Sequence, residues 1–355
     1  MELSRTGRWA GRRWLRLGAA AMVAALTVAV PASMSTAEAA KPKGLPGMRI
    51  LLTNDDSMQA AKASHTDGLG LYELRKALCA KGADVVVIAP WSVQSGKGSA
   101  VTNSGTFRLG QKTLPAGYEN DCASAPSKGA VFGVCTGDAP CGPTSGSATP
   151  ADTVAFATRG GLKATVGWSV PDLVVSGSNA GSNYANSVND SGTVGAAIMA
   201  NTIRIPAVAF SSSNADDWSM PVVNYQATAK WGADFLANLN KKGLLLQNKF
   251  ALNINYPDIS AGAKAKPVKW ARVGAATAYA HSYIPQSDGG FAIDLPLCTG
   301  MSICTETRKD SDWTLISKGY ITVVPLTWDR TYGVDEGGKT YKKVKAFVQK
   351  YTKTS

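Results

Sequence analysis

The amino-acid sequence predicts an α/β fold in which a mostly parallel sheet is covered by helices on both faces. Short apolar runs alternate with helical patterns along the chain, as repeated β-α-β units require. In the predicted strand DVVVIAP at 84–90, the residues after Asp84 are continuously apolar, which is typical of parallel strands buried on both faces. The chain has 355 residues, 45% of them apolar and 17% charged, so it has ample material for a large core.

The elements are predicted in order from local patterns. Apolar runs predict strands at 48–54, 84–90, 172–177, 206–210, 250–256 and 320–326. The helix predicted at 69–81 ends at Gly82, a residue that commonly follows a helix. Another helix opens at Thr149, with Pro150 at its first position and Asp152 at its third. Helical spacing predicts further helices at 191–204, 226–241 and near the C-terminus at 341–351.

Two stretches lack a clear period. Residues 91–148 are rich in Gly, Ser and Pro, and we predict loops there with a hairpin among them. Residues 259–318 are predicted to form a protruding arm. The domain organisation that follows is one domain over 40–355, with a core at about 47–258 and a C-terminal β-rich arm and tail at about 259–355.

Residues 1–39 are predicted to be a secretory signal peptide. Five arginines precede an apolar run at 17–30, which is shorter than the roughly 20 residues that span a bilayer. Ala37-Glu38-Ala39 fits a small-x-small cleavage site. The alternative is an uncleaved anchor. Cleavage predicts a secreted or periplasmic chain whose net charge falls from +12 to +9, with no later segment apolar enough to span a membrane.

Secretion makes disulfides the expected state of the six cysteines. Cys135 and Cys141 have the same spacing as Cys298 and Cys304, and Cys122 lies near the first of these pairs. Cys79 falls inside a helical pattern, where we expect a buried thiol. The spacing alone leaves the connectivity open.

Composition and missing motifs exclude several classes of function. Two histidines cannot build a three-His zinc site or a binuclear His-rich metallophosphatase, so a metal here must sit mainly on oxygen ligands. The motif RHGxRxP of histidine phosphatases is absent, as is the dinucleotide fingerprint GxGxxG. The net charge of +12 comes without any nucleic-acid-binding motif, so we predict no specific nucleic-acid partner.

Three polar loops follow predicted strands. In parallel sheets the carboxyl ends of strands form the ligand site. Asp55 and Asp56 follow the first strand, Ser95 follows the second, and Asn179 follows the strand at 172–177. Adjacent carboxylates repel each other unless a cation lies between them, so this set is a candidate site for a hard divalent metal. The alternative is a turn or a helix cap.

The helix predicted at 191–204 opens with Ser191-Gly192-Thr193. Free N–H groups and the positive end of the helix dipole suit a phosphate there, although simple capping explains the same residues. An oxygen-ligand metal beside an anion site points to phosphate ester chemistry.

These motifs together resemble the SurE family of metal-dependent nucleotidases and phosphatases. The matching segments, in order, are MRILLTNDDS, VVVIAPWSVQSGKGSAVT, TPADTV, PDLVVSGSNAGSNY, SGTVGAA and GYITVVPL. The resemblance covers roughly 47–330, with insertions at 57–66 and 110–148, and implies a Rossmann-like, three-layer α/β/α core with a C-terminal extension.

The resemblance also implies a site and an activity. Asp55, Asp56, Ser95 and Asn179 would bind a divalent cation, Mg²⁺ or Mn²⁺ with Ca²⁺ as the alternative. The phosphate would be bound by Asn54, Gly96, Asn183, Ser191, Gly192 and Thr193. With Asp55 and Asp56 as catalytic residues, a metal-bound water would hydrolyse nucleoside monophosphates. The family further implies a homodimer or tetramer.

Some features depart from the family and leave the substrate open. Ser57 stands where the family usually has Gly, the loop at 58–67 is longer, and Gln94 replaces a common basic residue. The alternatives are a broad-specificity secreted acid phosphatase, a short-chain polyphosphatase, or a binding protein that has lost turnover.

Overall fold

The computed structural model describes residues 44–331 and 339–351, so the predicted signal peptide lies outside the described residues. The strands are β1 (Arg49–Thr53), β2 (Asp84–Pro90), β3 (Phe107–Gln111), β4 (Val131–Thr136), β5 (Gly146–Ser147), β6 (Leu173–Ala180), β7 (Ala207–Ser212), β8 (Ala251–Tyr256), β9 (Lys266–Trp270), β10 (Ser282–Pro285), β11 (Phe291–Asp294) and β12 (Tyr320–Leu326). The helices are α1 (Leu69–Ala80), α2 (Pro150–Phe156), α3 (Leu162–Val166), α4 (Gly192–Thr202), α5 (Val222–Lys241), α6 (Asp312–Ile316) and α7 (Lys339–Tyr351).

Ten strands of the described chain form one sheet, in the order β3-β4-β2-β1-β6-β7-β8-β12-β9, with β5 on β4. Pairing is parallel from β4 through β8 along this order. The antiparallel pairs are β3 with β4, β5 with β4, and β12 with β8. The prediction of a mostly parallel sheet is confirmed.

Alternate residues of the strands face two cores, which produces the three layers. Leu52 and Val175 pack on one face with α1 and α5, while Leu51 and Val174 pack on the other with α2 and α4. Both faces of β2 are buried, which accounts for its continuous apolar run. The helix cap predicted at Thr149 is confirmed, since its hydroxyl accepts from Asp152 N at 3.1 Å.

The two stretches without a clear period, 91–148 and 259–318, contribute strands to the main sheet that their sequences did not predict. Within 91–148, β3 and β4 form an antiparallel pair and β4 extends the parallel sheet beside β2. From the predicted arm, β9 joins the same sheet by pairing with β12. The separate hairpin β10–β11 leaves large apolar side chains exposed, among them Tyr283, Phe291 and Ile293. The terminal helix is confirmed as α7.

All six cysteines form disulfides, as an oxidising compartment favours. Cys135 pairs with Cys141 and Cys298 with Cys304. The expectation of a free thiol at Cys79 is wrong, because Cys79 pairs with Cys122. The loop carrying Cys122 returns to α1, where buried Arg75 donates to Gly129 O at 2.9 Å. None of the helices described is long and apolar enough to cross a membrane.

Candidate active site

The predicted site residues gather at the carboxyl ends of β1 and β6. In the sheet, β1 lies between β6 and β2. β2 is the next strand along the chain after β1, and it pairs with β1 on the side opposite to β6. A crevice forms where the strand order diverges in this way, and it is the usual ligand position in open α/β sheets. Asp55 and Asp56 follow β1 directly, and Asn179 lies at the end of β6.

Two carboxyl groups are buried at this crevice. Asp55 and Asp56 are each 3% exposed. Asp56 Oδ2 accepts from Ala180 N at 2.7 Å and from Asn54 Nδ2 at 3.0 Å. Burial raises the pKa of Asp55, and burial together with the neighbouring Asp55 charge raises the pKa of Asp56 well above its usual value. The pair therefore favours a cation that would allow both groups to ionise.

The hydroxyl of Thr193 lies close to oxygen atoms of three other side chains. Thr193 Oγ1 contacts Asp55 Oδ1, and lies 3.0 Å from both Asn54 Oδ1 and Asn179 Oδ1. A hydroxyl has one proton, so it cannot satisfy three acceptors at once. Converging oxygen atoms with too few protons are suited to a hard divalent cation. Among the described residues, no group of three or more His, Cys, Asp or Glu is placed to hold a metal ion.

The start of α4 faces Asp55. Ser191 caps the helix by accepting from Val194 N at 3.1 Å, which is the capping role given above as the alternative to phosphate binding. The backbone N–H groups of Thr193 and Gly192 lower the pKa of Asp55, opposing the larger effect of burial. A Cβ at Gly192 would lie 2.7 Å from Asp55 Cβ, so only glycine allows this approach of helix and carboxylate.

The second strand-end loop places Ser95 and Gly96 at the cleft, where both are exposed. The loop is attached at two points: Gln94 N donates to Asp55 O at 2.7 Å, and Gly98 N donates to Asp190 O at 2.8 Å. These backbone bonds bring the loop beside Asp55 without involving the Ser95 side chain.

Asn183 is fixed by residues that local sequence patterns did not identify. Asn255 Oδ1 accepts from Asn183 N at 2.7 Å, while Asn253 Nδ2 donates to Asn183 O at 2.8 Å. Asn183 Nδ2 donates to Ser211 Oγ at 3.0 Å. Fully buried asparagines in the otherwise apolar strand FALNINY were an available signal, because buried polar side chains need specific partners.

The predicted site residues form two groups: some line a cleft and the others are buried behind those residues. Those that line a cleft of about 330 Å³ are Asp55, Ser95, Gly96, Asn179, Asn183 and Ser191. Those that lie behind the lining are Asn54, Asp56, Gly192 and Thr193. The cleft also includes Trp218, Tyr279 and Leu295, which local sequence patterns did not identify.

The backbone conformation at Ser57 is one that favours glycine. Its φ of 72° lies in the left-handed region, which non-glycine residues adopt at a cost. Ser57 Oγ accepts from Gln59 N at 3.1 Å, a local hydrogen bond that offsets part of that cost.

Three further polar residues lie outside the cleft lining. His65 contributes its backbone carbonyl to Tyr225 Oη at 2.8 Å, and His281 is exposed in the arm. Asp312 is buried, and burial raises its pKa to about 6. Asp312 Oδ1 accepts from Gly274 N at 2.8 Å and Ala185 N at 3.2 Å. Asp312 thus ties the loop after Asn183 to the C-terminal region.

Comparison with known proteins identifies relatives over most of the chain. The family model described as Survival protein SurE matches residues 50–280. The protein is 32% identical over 286 residues to "5′-nucleotidase SurE" of Christiangramia forsetii, covering 79% of this chain and 92% of that one. It is 33% identical over 282 residues to the protein of the same name from Solidesulfovibrio magneticus, with the same coverage.

A solved structure has the same fold. The crystal structure of the SurE protein from Aquifex aeolicus superposes with a TM-score of 0.56, covering 84% of this chain and 98% of that one at 23% identity. The fold, the family model and the curated relatives agree. The chain belongs to the SurE family of metal-dependent phosphomonoesterases.

Proposed function

We propose that the chain hydrolyses phosphate monoesters, nucleoside 5′- and 3′-monophosphates among them, to an alcohol and phosphate. The observation that carries this is the convergence of buried Asp55 and Asp56 with the oxygens of Thr193 and Asn179 at one strand-end cleft. The name of the relatives, 5′-nucleotidase SurE, supports the nucleotide class.

Asp55, Asp56, Asn179 and Ser95 would bind the divalent cation. They supply carboxylate, amide and hydroxyl oxygens, which suit Mg²⁺ or Mn²⁺, with Ca²⁺ as the alternative. When bound, such an ion supplies Lewis acidity toward phosphoryl oxygens and lowers the pKa of a coordinated water.

The chain's own residues orient the reactants. Asp55 Oδ1 accepts from Thr193 Oγ1, and the ionised Asp55 carboxylate would orient a water or accept its proton. The side chain of Asn183 and the N–H groups of Gly192 and Thr193, which also interact with Asp55, would bind phosphoryl oxygens as charge develops on them. The hydrogen bonds from Asn253 and Asn255 hold the loop of Asn183 in place for this role.

Secretion and self-association belong to the same proposal. The three disulfides fit an oxidising compartment, and the segment at 1–39 has the composition of a signal peptide. The exposed apolar side chains of the hairpin β10–β11 fit burial against a second copy in a homodimer or tetramer.

The test is phosphate release by purified residues 40–355 from 5′-AMP, 3′-AMP and p-nitrophenyl phosphate between pH 4.5 and 8.5. We expect release with Mg²⁺ or Mn²⁺, none with EDTA, and a loss of about 10³-fold in Asp55→Asn. The ratio among substrates separates a nucleotidase from a general acid phosphatase. Metal-independent release, or an Asp55→Asn variant as active as the wild type, would refute the proposal.

A further inference from the structure

Residues 183–191 form one wall of the candidate cleft, and we call this segment the phosphate wall. Its cleft-lining residues are Asn183, Ser187, Asp190 and Ser191. The wall contains a short 3₁₀ helix, Ala185–Asn189, and ends at the residue that caps α4. Because Asn183 and the first N–H groups of α4 are the proposed phosphate ligands, the placement of this wall decides where those groups point.

The backbone of the phosphate wall is strained at one point. Ala185 is fully buried, and its φ of 49° lies in the left-handed region that non-glycine residues adopt at a cost. The N–H of Ala185 donates to Asp312 Oδ1 at 3.2 Å. A strained conformation persists only where the surrounding structure over-determines it, so this hydrogen bond belongs to what holds the wall in place.

Asp312 is a fixed point behind the phosphate wall. It is fully buried, and its own N–H donates to Arg272 O at 2.8 Å. Besides the bond from Ala185, its Oδ1 accepts from Gly274 N and Trp313 N, both at 2.8 Å. The packing is close here, since a Cβ at Gly274 would lie 2.9 Å from Ala185 Cβ. One carboxylate oxygen therefore connects the wall to two segments of the C-terminal region.

The residues on either side of Ala185 contact the same C-terminal region. The ring of Tyr184 stacks on Trp313 with the centroids 5.7 Å apart, and Asn186 Oδ1 accepts from Ala278 N at 2.7 Å. Neither Asp312 nor Trp313 lines the cleft. These contacts therefore act on the wall from behind and leave free the space that a phosphate group would fill.

Asp312 acts there as a hydrogen-bond acceptor and not as an ion-pair partner. It forms no ion pair with any residue in the described ranges, and Glu306, whose charge acts on it, is also a carboxylate. Its Oδ2 has no hydrogen-bond partner among the same residues, so its bonding runs through Oδ1. An asparagine at this position would keep the acceptor oxygen and lose the charge, which separates the two contributions.

We propose that Asp312 is a positioning residue for the phosphate site. It holds Ala185 in the left-handed conformation and thereby fixes Asn183 and Ser191 against the cleft. This inference rests on the proposed phosphomonoesterase function and assigns a role in it to a side chain that lies outside the cleft lining.

The first test measures how tightly the site binds inorganic phosphate, the product that it shares among all substrates. In Asp312→Ala, the competitive inhibition constant of inorganic phosphate against 5′-AMP with Mg²⁺ should rise about tenfold, the equivalent of about 1.4 kcal/mol. The value of kcat/KM should fall at least about tenfold. Partial unfolding would lower the concentration of active enzyme and hence the apparent kcat, but it would leave the inhibition constant unchanged.

Two matched variants control for charge and for general destabilisation. Asp312→Asn keeps the acceptor oxygen and should return the inhibition constant to within about twofold of the wild type. Asp84→Ala removes another buried carboxylate that accepts a backbone bond, from Ser127 N at 3.1 Å. Asp84 lies at the amino end of β2, whereas the cleft lies at the carboxyl ends, so this variant should lower the free energy of unfolding and leave the inhibition constant unchanged.

Three kinetic outcomes would overturn the proposal. The first is an unchanged inhibition constant in Asp312→Ala. The second is an equal change in Asp84→Ala, which would make the effect one of general stability. The third is a failure of Asp312→Asn to recover phosphate affinity, because the retained oxygen would then not be the group that positions the wall.

The second test observes the phosphate wall directly by hydrogen–deuterium exchange of the mature chain. Peptides that cover 183–191 should exchange at least about tenfold faster in Asp312→Ala than in the wild type, while peptides that cover β2 should exchange at the wild-type rate. Asp84→Ala should not accelerate exchange at 183–191. Unchanged exchange at 183–191 in Asp312→Ala, or an equal acceleration along the whole chain, would overturn the proposal.

A binding measurement separates this inference from the proposed function. If the wild type releases no phosphate from any monoester, the proposed function fails, and calorimetric titration with inorganic phosphate and Mg²⁺ then tests the positioning role alone. Phosphate binding that weakens about tenfold in Asp312→Ala and recovers in Asp312→Asn supports the inference regardless of turnover. Absence of phosphate binding to the wild type refutes it.

Discussion

The two sides of the cleft are built in different ways. The proposed phosphate side is built mainly from short segments that directly follow β1 and β6 or open α4, where Asp56 and Thr193 are buried and hydrogen-bonded to neighbouring groups, with the exposed loop of Ser95 beside them. The aromatic side is assembled from the loop carrying Trp218 and from the C-terminal segment carrying Tyr279. The proposed metal and phosphate ligands thus lie next to the sheet, whereas Trp218 and Tyr279 come from distant parts of the chain that meet beside it.

Removing a carboxylate from the phosphate side should have the largest effect and should not depend on the leaving group. Asp56→Asn is expected to lower kcat/KM about 10³-fold for AMP and p-nitrophenyl phosphate alike, because both use the same phosphate site. Initial rates at saturating Mg²⁺ or Mn²⁺ provide the measurement. A loss confined to AMP would show that the two sides are not separable.

The control is Asp234→Asn on α5. Asp234 is half exposed and pairs with Lys81 at 2.6 Å, a surface ion pair of small energetic value. This variant should retain activity within about twofold and thereby exclude a general effect of losing one carboxylate.

Asp312 connects the two sides, and its ionisation should affect stability. Burial raises its folded-state pKa to about 6, above the usual value of 3.8, so the folded state binds the proton more tightly than the unfolded state. Ionisation of Asp312 therefore lowers the free energy of unfolding progressively from about pH 4 to about pH 6. Above about pH 6 its effect on the free energy of unfolding is constant. About two pH units correspond to about 3 kcal/mol.

Asp312→Asn isolates this contribution. Asparagine keeps an oxygen for the backbone amides of Gly274 and Ala185 and cannot ionise. In urea denaturation, the wild-type free energy of unfolding relative to the variant should fall between pH 4 and pH 6. A constant difference across that range would contradict the shifted pKa.

The hydroxyl of Thr193 tests how tightly the phosphate side is arranged. Thr193→Val keeps the shape and removes the group that contacts Asp55, Asn54 and Asn179. We expect kcat/KM to fall about 30-fold for both substrates, the equivalent of about 2 kcal/mol, because the buried acceptors lose their shared donor. Thr193→Ser restores the hydroxyl and should recover activity to within about threefold. Equal activity in the valine variant would show that the hydroxyl has no role in positioning.

The same difference between the two sides explains what the sequence could and could not predict. Asp55, Asn179 and Ser191 each lie next to a strand or helix whose pattern is local, so their convergence follows from the rule that ligands bind at strand ends. Trp218 and Tyr279 come together through loops that no period describes. The pairing of Cys79 with Cys122, across 43 residues, was equally invisible to spacing. Long-range contacts between irregular segments are set by packing of the whole domain rather than by local propensity.

The smallest expected effect comes from removing a disulfide, and we compare one disulfide in the arm with one beside the sheet. Cys298–Cys304 and Cys135–Cys141 both join residues six apart, so the chain-entropy contribution of the two disulfides should be similar. The first crosslinks a segment that bonds to the loop of Tyr279, since Cys298 N donates to Ala278 O at 2.9 Å and Thr277 N donates to Ile303 O at 2.7 Å.

Replacing Cys298 and Cys304 with alanine should loosen this segment and raise the inhibition constant of inorganic phosphate about threefold, because Ala278 N also donates to Asn186 Oδ1 in the phosphate wall. Replacing Cys135 and Cys141, in and beside β4, should lower the unfolding free energy by a similar amount and leave the inhibition constant unaltered. Inhibition kinetics and urea denaturation of both double variants provide the measurement. If the two replacements altered the inhibition constant equally, the arm would have no separate part in holding the phosphate wall, and its contribution would be one of general stability.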